Sequence, residues 1–345
     1  MSPDAPHEAP PSDQREQRLR TLAAAREAGR VPYRYPADHT TAQIRGCHGD
    51  LPPDVRTAEQ VRLAGRLELI RRQGGLTFAV LRDRTGTIQL FVDTAVLGAD
   101  DHHAFDELDR GDWIGVEGTV LTTRRGELSV GVQSFALLGK ALLPAPDKHH
   151  GLSDVETRYR QRYVDLAANE RTREIFRIRH TAIRAIRRYL EELDFTEVEG
   201  PVLQSIQGGA TARPFVTHHN ALDQDMYLRI ALELHLKRLI VGGLDRVFEI
   251  GRVFRNEGID TRHNPEFTML EAYQAFADYR DMMDLVEGMV LAAARAALGD
   301  ELVVHYGGHA IDLAAGPWPR ERFADMIADK TGERMHPGMP IEEAR

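Results

Sequence analysis

RVFEIGRVFRNEGIDTRHNPEFTMLEAY, residues 246–273, reads as two strand-like runs around a polar loop, 258–265, too long and too charged for a tight hairpin. Side chains alternate between the faces of a strand, so parity sorts them. In the first run Glu249, Gly251, Arg255 and Glu257 share one face, while Phe248, Ile250 and Phe254 share the other. In the second run Phe267, Met269, Glu271 and Tyr273 share a face. An antiparallel pair with acids, an arginine and aromatics in front and greasy residues behind describes the floor of a ligand site. A solvated sheet face has no need of Phe267, Met269 and Tyr273.

Around this pair, after Pro201, strand and helix patterns mix without regular βαβ alternation, which predicts an α+β domain with an antiparallel sheet. Before it, residues 155–193 are helical in period, with Ile175, Ile178, Ala182, Ile183, Ile186 and Leu190 on one face. Further upstream come five short, β-branched or alternating runs, 61–70, 77–82, 87–92, 113–121 and 128–137, with a helical piece at 103–109. Gly74-Gly75, Thr85-Gly86 and Arg125-Gly126 punctuate them as turn signals, and the set fits an all-β barrel of the OB type. The expected organisation is a disordered tail over 1–14, then a helix (13–29) and a connector filling 15–60. The barrel follows over 61–141, a linker over 142–153 and the α+β domain over 154–345.

A chain of 345 residues suits two such domains. Its net charge of −9 argues against a general polyanion binder. Residues 156–190 nevertheless carry ten arginines against four acids, and two readings stand: a nucleic-acid track, or a solvated helix face with local ion pairs. The single cysteine, Cys47, excludes a disulfide framework and a cysteine-based zinc site. The pairs His102-His103, His149-His150 and His218-His219 are adjacent rather than four apart, which disfavours zinc. No run reaches the ~18 apolar residues of a membrane span, and the Pro-rich, acidic start lacks a signal-peptide core. The expected location is the cytoplasm, with no membrane association.

Phe254-Arg-Asn-Glu-Gly258 followed by Arg262-His-Asn-Pro-Glu-Phe267 resembles motif 2 of class II aminoacyl-tRNA synthetases, in the wording of the lysyl-tRNA synthetase family. Gly208-Gly-Ala-Thr-Ala-Arg-Pro-Phe215, Thr217-His-His-Asn-Ala-Leu222, Leu236-Lys-Arg-Leu239 and Tyr159-Arg-Gln-Arg-Tyr163 are similar to the same family. Upstream, Gly65-Arg66 and Thr87-Ile-Gln-Leu-Phe91 resemble its anticodon-binding OB domain. The likeness is dense from about residue 60 to 285.

The resemblance implies a lysine–tRNA ligase: the lysine carboxylate attacks the α-phosphate of ATP, and the acyl group then passes to tRNA(Lys). On that basis Arg255 is the catalytic residue, clamping the two reacting anions. Glu257, His263, Asn264 and Phe267 join it in holding ATP, with Phe267 stacked on adenine. Glu233 and Glu271 take the ammonium groups of lysine, Gly209 and Tyr273 shape the pocket, and Arg255 completes it. Phe78, Gln89 and Glu127 fall on the anticodon-reading positions, although Phe78 read by itself is more readily a barrel-core residue. A homodimer through the motif 1 region near Pro201 is implied, as are ATP and Mg²⁺.

The sequence also departs from the family. Lysine synthetases continue past the point where this chain stops, and that part carries motif 3 and the expected Mg²⁺ ligands, so the catalytic domain is expected to be incomplete and to hold no metal ligands of its own. Asp194 stands before Phe195 where the family prefers Gly, and Leu232 stands before Glu233 where it usually has Pro. A non-catalytic tRNA-binding or dimerising paralogue, or an inactive fragment, is the alternative.

Overall fold

The computed structural model describes residues 12–144, 152–336, 338–340 and 342. The chain divides into two compact units, Met1–Asn169 and Glu170–Arg345.

The first unit opens with α1 (Ser12–Glu27), so residues 12–14 of the expected tail are helical; residues 1–11 lie outside the described residues. Asp13 in the first turn favours that start, because the helix N-terminus carries partial positive charge. The helix ends at Gly29, at φ +66°, where the Arg30 N–H turns back to the Ala25 carbonyl at 2.9 Å. A second helix, α2 (Thr41–His48), stands inside the expected connector. Thr40 and Gln43 form a reciprocal capping box at its start. Thr41 then donates its N–H and hydroxyl to Asp83 at 2.7 and 2.9 Å. Burial alone would push the Asp83 carboxyl up; the donors from Thr41 and Thr85 outweigh it and hold the group below the usual carboxylate range.

Five strands follow: β1 (Arg56–Gln73), β2 (Leu76–Arg82), β3 (Thr87–Asp93), β4 (Trp113–Thr122) and β5 (Leu128–Gly139). They close into a barrel in the order β1-β2-β3-β5-β4. The long β1 makes closure possible, pairing through its first half with β4 and through its second with β2. Only β3 and β5 run parallel. Leu63, Leu67, Leu81, Ile88, Leu90 and Ile114 fill the interior. Between β3 and β4 lie α3 (Thr94–Leu97) and α4 (Ala99–Asp106), earlier than the expected helical piece at 103–109. Asp93 caps α3, and Asp100 and Asp101 sit in the first turn of α4, where acids suit the helix start. Phe105 is fully buried and belongs to the barrel core.

The helical stretch 155–193 is three helices, not one. α5 (Val155–Arg160) and α6 (Arg162–Ala168) belong to the first unit, so the division falls after residue 169 and not in the expected linker, of which 145–151 lie outside the described residues. Asp165 of α6 is fully buried and takes Arg158 at 3.0 Å, Arg162 at 2.7 Å and the Asn169 amide at 2.5 Å.

The second unit begins with α7 (Glu170–Glu192), then β6 (Thr196–Glu197), β7 (Leu203–Gln204), β8 (Val216–His219), β9 (Gln224–Leu228) and α8 (Glu233–Val241). β10 (Arg246–Phe254), β11 (Glu266–Gln274), α9 (Tyr279–Leu298), the hairpin β12 (Val303–Tyr306) and β13 (His309–Asp312), and α10 (Phe323–Thr331) complete it. Residues 341 and 343–345, part of the helical-looking end of the sequence, lie outside the described residues. β10 is the middle strand of the order β11-β10-β6, antiparallel to β11 and parallel to β6. Behind this sheet Leu190 of α7, Leu285 of α9, Phe195 and Phe248 form one core; Ile175, placed on the apolar face of α7 by period, is instead 48% exposed. In front, Leu232 and Leu236 of α8 cover Val247 and Val253. Six of the ten arginines in 156–190 pair with acids of their own unit. Among the described residues, no helix is long and apolar enough to cross a membrane.

The front of the sheet also holds a buried ion pair. Arg229 and Glu249 are each 5% exposed and meet at 2.5 Å. Arg229 also donates to the Gly200 and Arg252 carbonyls, and Glu249 accepts the Gly200 N–H at 3.0 Å. Only glycine fits at Gly251, because a Cβ there would overlap the guanidinium. Removing one member strands a buried charge, at about 3–5 kcal/mol. Glu249→Ala should therefore destabilise the protein by that amount in equilibrium urea denaturation, while the double change Arg229→Met with Glu249→Leu recovers most of it; a double variant as unstable as the single would contradict this account.

Candidate functional site

β10 and β11 pair in one unbroken register, Glu249 opposite Glu271, Gly251 opposite Met269 and Val253 opposite Phe267. Two carboxylates directly across a ladder repel. The protein separates them by partner: Glu249 goes to Arg229, and Glu271 to a different set of donors. The Leu232 N–H, at the start of α8, donates to Glu271 Oε1 at 2.9 Å, and the Tyr273 hydroxyl donates to Glu271 Oε2 at 3.0 Å. A proline before Glu233 would have no N–H to give. Leu232 thus forgoes a preset helix start and supplies a second hold on the acid.

Burial, the hydrogen bond to Glu271 and the charges of Glu271 and Glu233 push the Tyr273 phenol far above its ordinary range. It stays a donor at any working pH. Glu233 stands at the first position of α8, and Lys237, one turn on, pairs with it at 2.5 Å. The Lys237 ammonium also lies 6.0 Å from the Tyr273 ring centre. Gly209, at φ +87°, closes the side: a Cβ there would stand 3.0 Å from the β-carbons of both Ala231 and Glu233. Four of the five residues expected around lysine, Gly209, Glu233, Glu271 and Tyr273, are thus brought together.

The Arg255 guanidinium lies 5.2 Å from the Phe267 ring centre, its Nε facing the Ile230 carbonyl at 3.4 Å. Arg255 is beyond the last residue of β10, so strand parity does not govern it. Glu257, His263 and Asn264 stay exposed in the loop, with the Glu257 N–H donating to the Arg255 carbonyl at 3.1 Å. Asp260 organises that loop, accepting the Arg262 and His263 N–H groups and the His263 ring at 2.7 Å. Those hydrogen bonds, Arg262 first, hold its carboxyl below the usual range.

On the barrel, Phe78 points outward between the buried Thr77 and Ala79, so it is not a core residue. Its ring meets Phe91 edge-on at 5.4 Å, and Arg56 lies over Phe91 at 5.6 Å. Gln89 donates to the Ser129 hydroxyl at 2.9 Å, which donates to the Glu127 carbonyl at 3.0 Å. Phe78, Gln89 and Glu127 therefore share one outer region of the barrel. Phe91, Arg56 and Ser129 were not singled out in the sequence, although Phe91 has the parity of Gln89.

Residues 154–342 match the family model for tRNA synthetases class II (D, K and N), and residues 61–138 match the OB-fold nucleic acid binding domain. The chain belongs to the class II tRNA synthetases. Among curated relatives in this family, the lysine–tRNA ligase of Synechococcus sp. (strain RCC307) is 51% identical over 323 residues, covering 93% of this chain and 64% of that protein. That of Moorella thermoacetica (strain ATCC 39073 / JCM 9320) is 51% identical over 330 residues, 95% of this chain and 66% of its own length. That of Nostoc punctiforme (strain ATCC 29133 / PCC 73102) is 49% identical over 343 residues, 96% and 61% respectively. The chain thus spans between three-fifths and two-thirds of the length of these relatives.

The raised Tyr273 phenol is directly measurable. In an alkaline absorbance titration, Tyr273→Phe should leave the amplitude that titrates near pH 10 unchanged, since this tyrosine does not ionise there; loss of one tyrosine's share would refute the placement.

Proposed function

We propose that this class II synthetase chain carries the lysine-binding, ATP-aligning and anticodon-reading parts of a lysine–tRNA ligase. The observation that carries the reading is the gathering of Glu233, Glu271 and Tyr273 around Gly209, one strand length from Arg255 and Phe267. Two carboxylates gathered in one place suit a cationic substrate, and a substrate carboxylate would be repelled. Glu271, fixed by a backbone and a phenolic donor, takes one ammonium; Glu233 takes the other. Arg255 holds the substrate carboxylate and the α-phosphate in line as charge grows on phosphorus, and Phe267 carries the adenine. Glu257, His263 and Asn264 come to ATP by movement of their exposed loop.

ATP enters as substrate. Mg²⁺ accompanies it in the proposed reaction, and the work assigned to the residues named here is binding and alignment. On the barrel, Phe78 stacks a base of tRNA(Lys) while Gln89 and Glu127 read base edges. A homodimer through the region of Pro201 and a cytoplasmic location complete the proposal.

The decisive assay is lysine-dependent ATP–pyrophosphate exchange by the 345-residue chain. Exchange above background supports the ligase; a folded chain without exchange moves it to a tRNA-binding role. Where exchange is present, Arg255→Ala should reduce it about 10²–10³-fold, the usual loss of one preorganised transition-state contact. Independently, Phe78→Ala should weaken tRNA(Lys) binding by about 1–3 kcal/mol while leaving lysine exchange intact. An equal fall in both would remove the barrel from tRNA recognition.

A further inference from the structure

The two pocket carboxylates are held in opposite ways. Glu271 is fixed by donors that belong to the fold, the Leu232 backbone N–H and the Tyr273 phenol. Glu233 is 30% exposed, and its ion-pair partner among the described residues is the side chain of Lys237, 57% exposed, at 2.5 Å. Lys237 is itself a lysine ammonium on a flexible four-carbon stem. It sits where an incoming ammonium has to go, against Glu233 and within 6.0 Å of the Tyr273 ring. A pocket lined by acids without a cation is costly, and in the substrate-free chain Lys237 relieves that cost at Glu233.

We propose that Lys237 is an internal stand-in for a substrate ammonium, one that must be displaced from Glu233 on binding. The proposal rests on the lysine reading above. A ligand without an ammonium group to spare for Glu233 cannot take over the ion pair, so Glu233 stays with Lys237 and the ligand gains nothing there. A cationic ligand exchanges one ammonium for another, at the cost of releasing Lys237 to water. That release is cheap because the lysine is already more than half exposed, and exposed pairs of this kind are weak. Glu271, whose donors cannot leave, offers no such exchange.

Competition has a sign that a purely structural role does not. If Lys237 competes with substrate, removing its charge strengthens lysine binding; if it merely props Glu233 in place, removal weakens it. We would measure L-lysine binding by isothermal titration calorimetry to the wild-type chain, Lys237→Met and Lys237→Arg. Lys237→Met should bind L-lysine about two- to five-fold more tightly, the scale of an exposed ion pair, and Lys237→Arg should return to the wild-type value. ATP binding, measured in parallel, should be the same in all three and reports that each variant is folded. Wild-type binding with Lys237→Met equal or weaker would overturn the competition alone. Absence of L-lysine binding by a wild-type chain that binds ATP would overturn the lysine reading and this inference together.

Discussion

The front of the second unit's sheet depends on the pairing of Arg229 with Glu249. Register puts Glu249 opposite Glu271, and two unpaired carboxylates at that spacing would not both remain ionised in a half-buried sheet. Arg229 takes one of them out of contention. It does so while also donating to the Gly200 and Arg252 carbonyls, and such further hydrogen bonds are what make a buried pair tolerable. The same contacts tie the turn before Pro201 to β10, so the segment resembling motif 1 and the strand opening motif 2 cannot drift apart. Gly200 and Gly251 follow from this: side chains at either would collide with the pair.

With Glu249 neutralised, Glu271 is the acid left to face the cavity, and its donors come from two elements. Tyr273 is its neighbour two positions on, on the same strand face, and Leu232 presents a backbone N–H at the start of α8. A helix start leaves its first N–H groups without partners, and here one of them is aimed at a carboxylate. The hydrophobic cluster of Leu232, Leu236, Val247 and Val253 keeps α8 seated on the sheet, which makes that aim rigid. Packing thus sets the electrostatics of the pocket.

What the sequence revealed and what it hid divide along physical lines. The barrel strands were legible as β-branched or alternating runs between turn signals; β2 and β3 alternate throughout, a pattern that survives without knowing the partner strand, while β4 and β5 bury several residues in a row. The face carrying Phe267, Met269, Glu271 and Tyr273 was legible for the same reason. Partners far along the chain were not: no periodicity links Arg229 to Glu249, or Thr41 to Asp83. The helix breaks at Gln161 and Asn169 carry no proline or glycine, so nothing in the sequence signalled them. The helix α2 was hidden because eight residues hold too little period, although Thr40 and Gln43 spelled its cap. Arg255 read correctly as near Phe267 but for the wrong reason, because the strand had already ended. Glu257, His263 and Asn264 share a motif but no packed surface, and a motif carries no information on whether a loop is closed.

Class II synthetases for aspartate, lysine and asparagine share one family description, so on the proposed reading the chain must choose lysine by local chemistry. Glu271, held by its two donors, repels an aspartate side chain. Aspartate and asparagine each carry a single ammonium group, which can serve only one of the two carboxylates. Lysine alone among the three brings two ammonium groups, one for each. Selectivity then arises less from the shape of the cavity than from where its acids stand and how firmly each is already held.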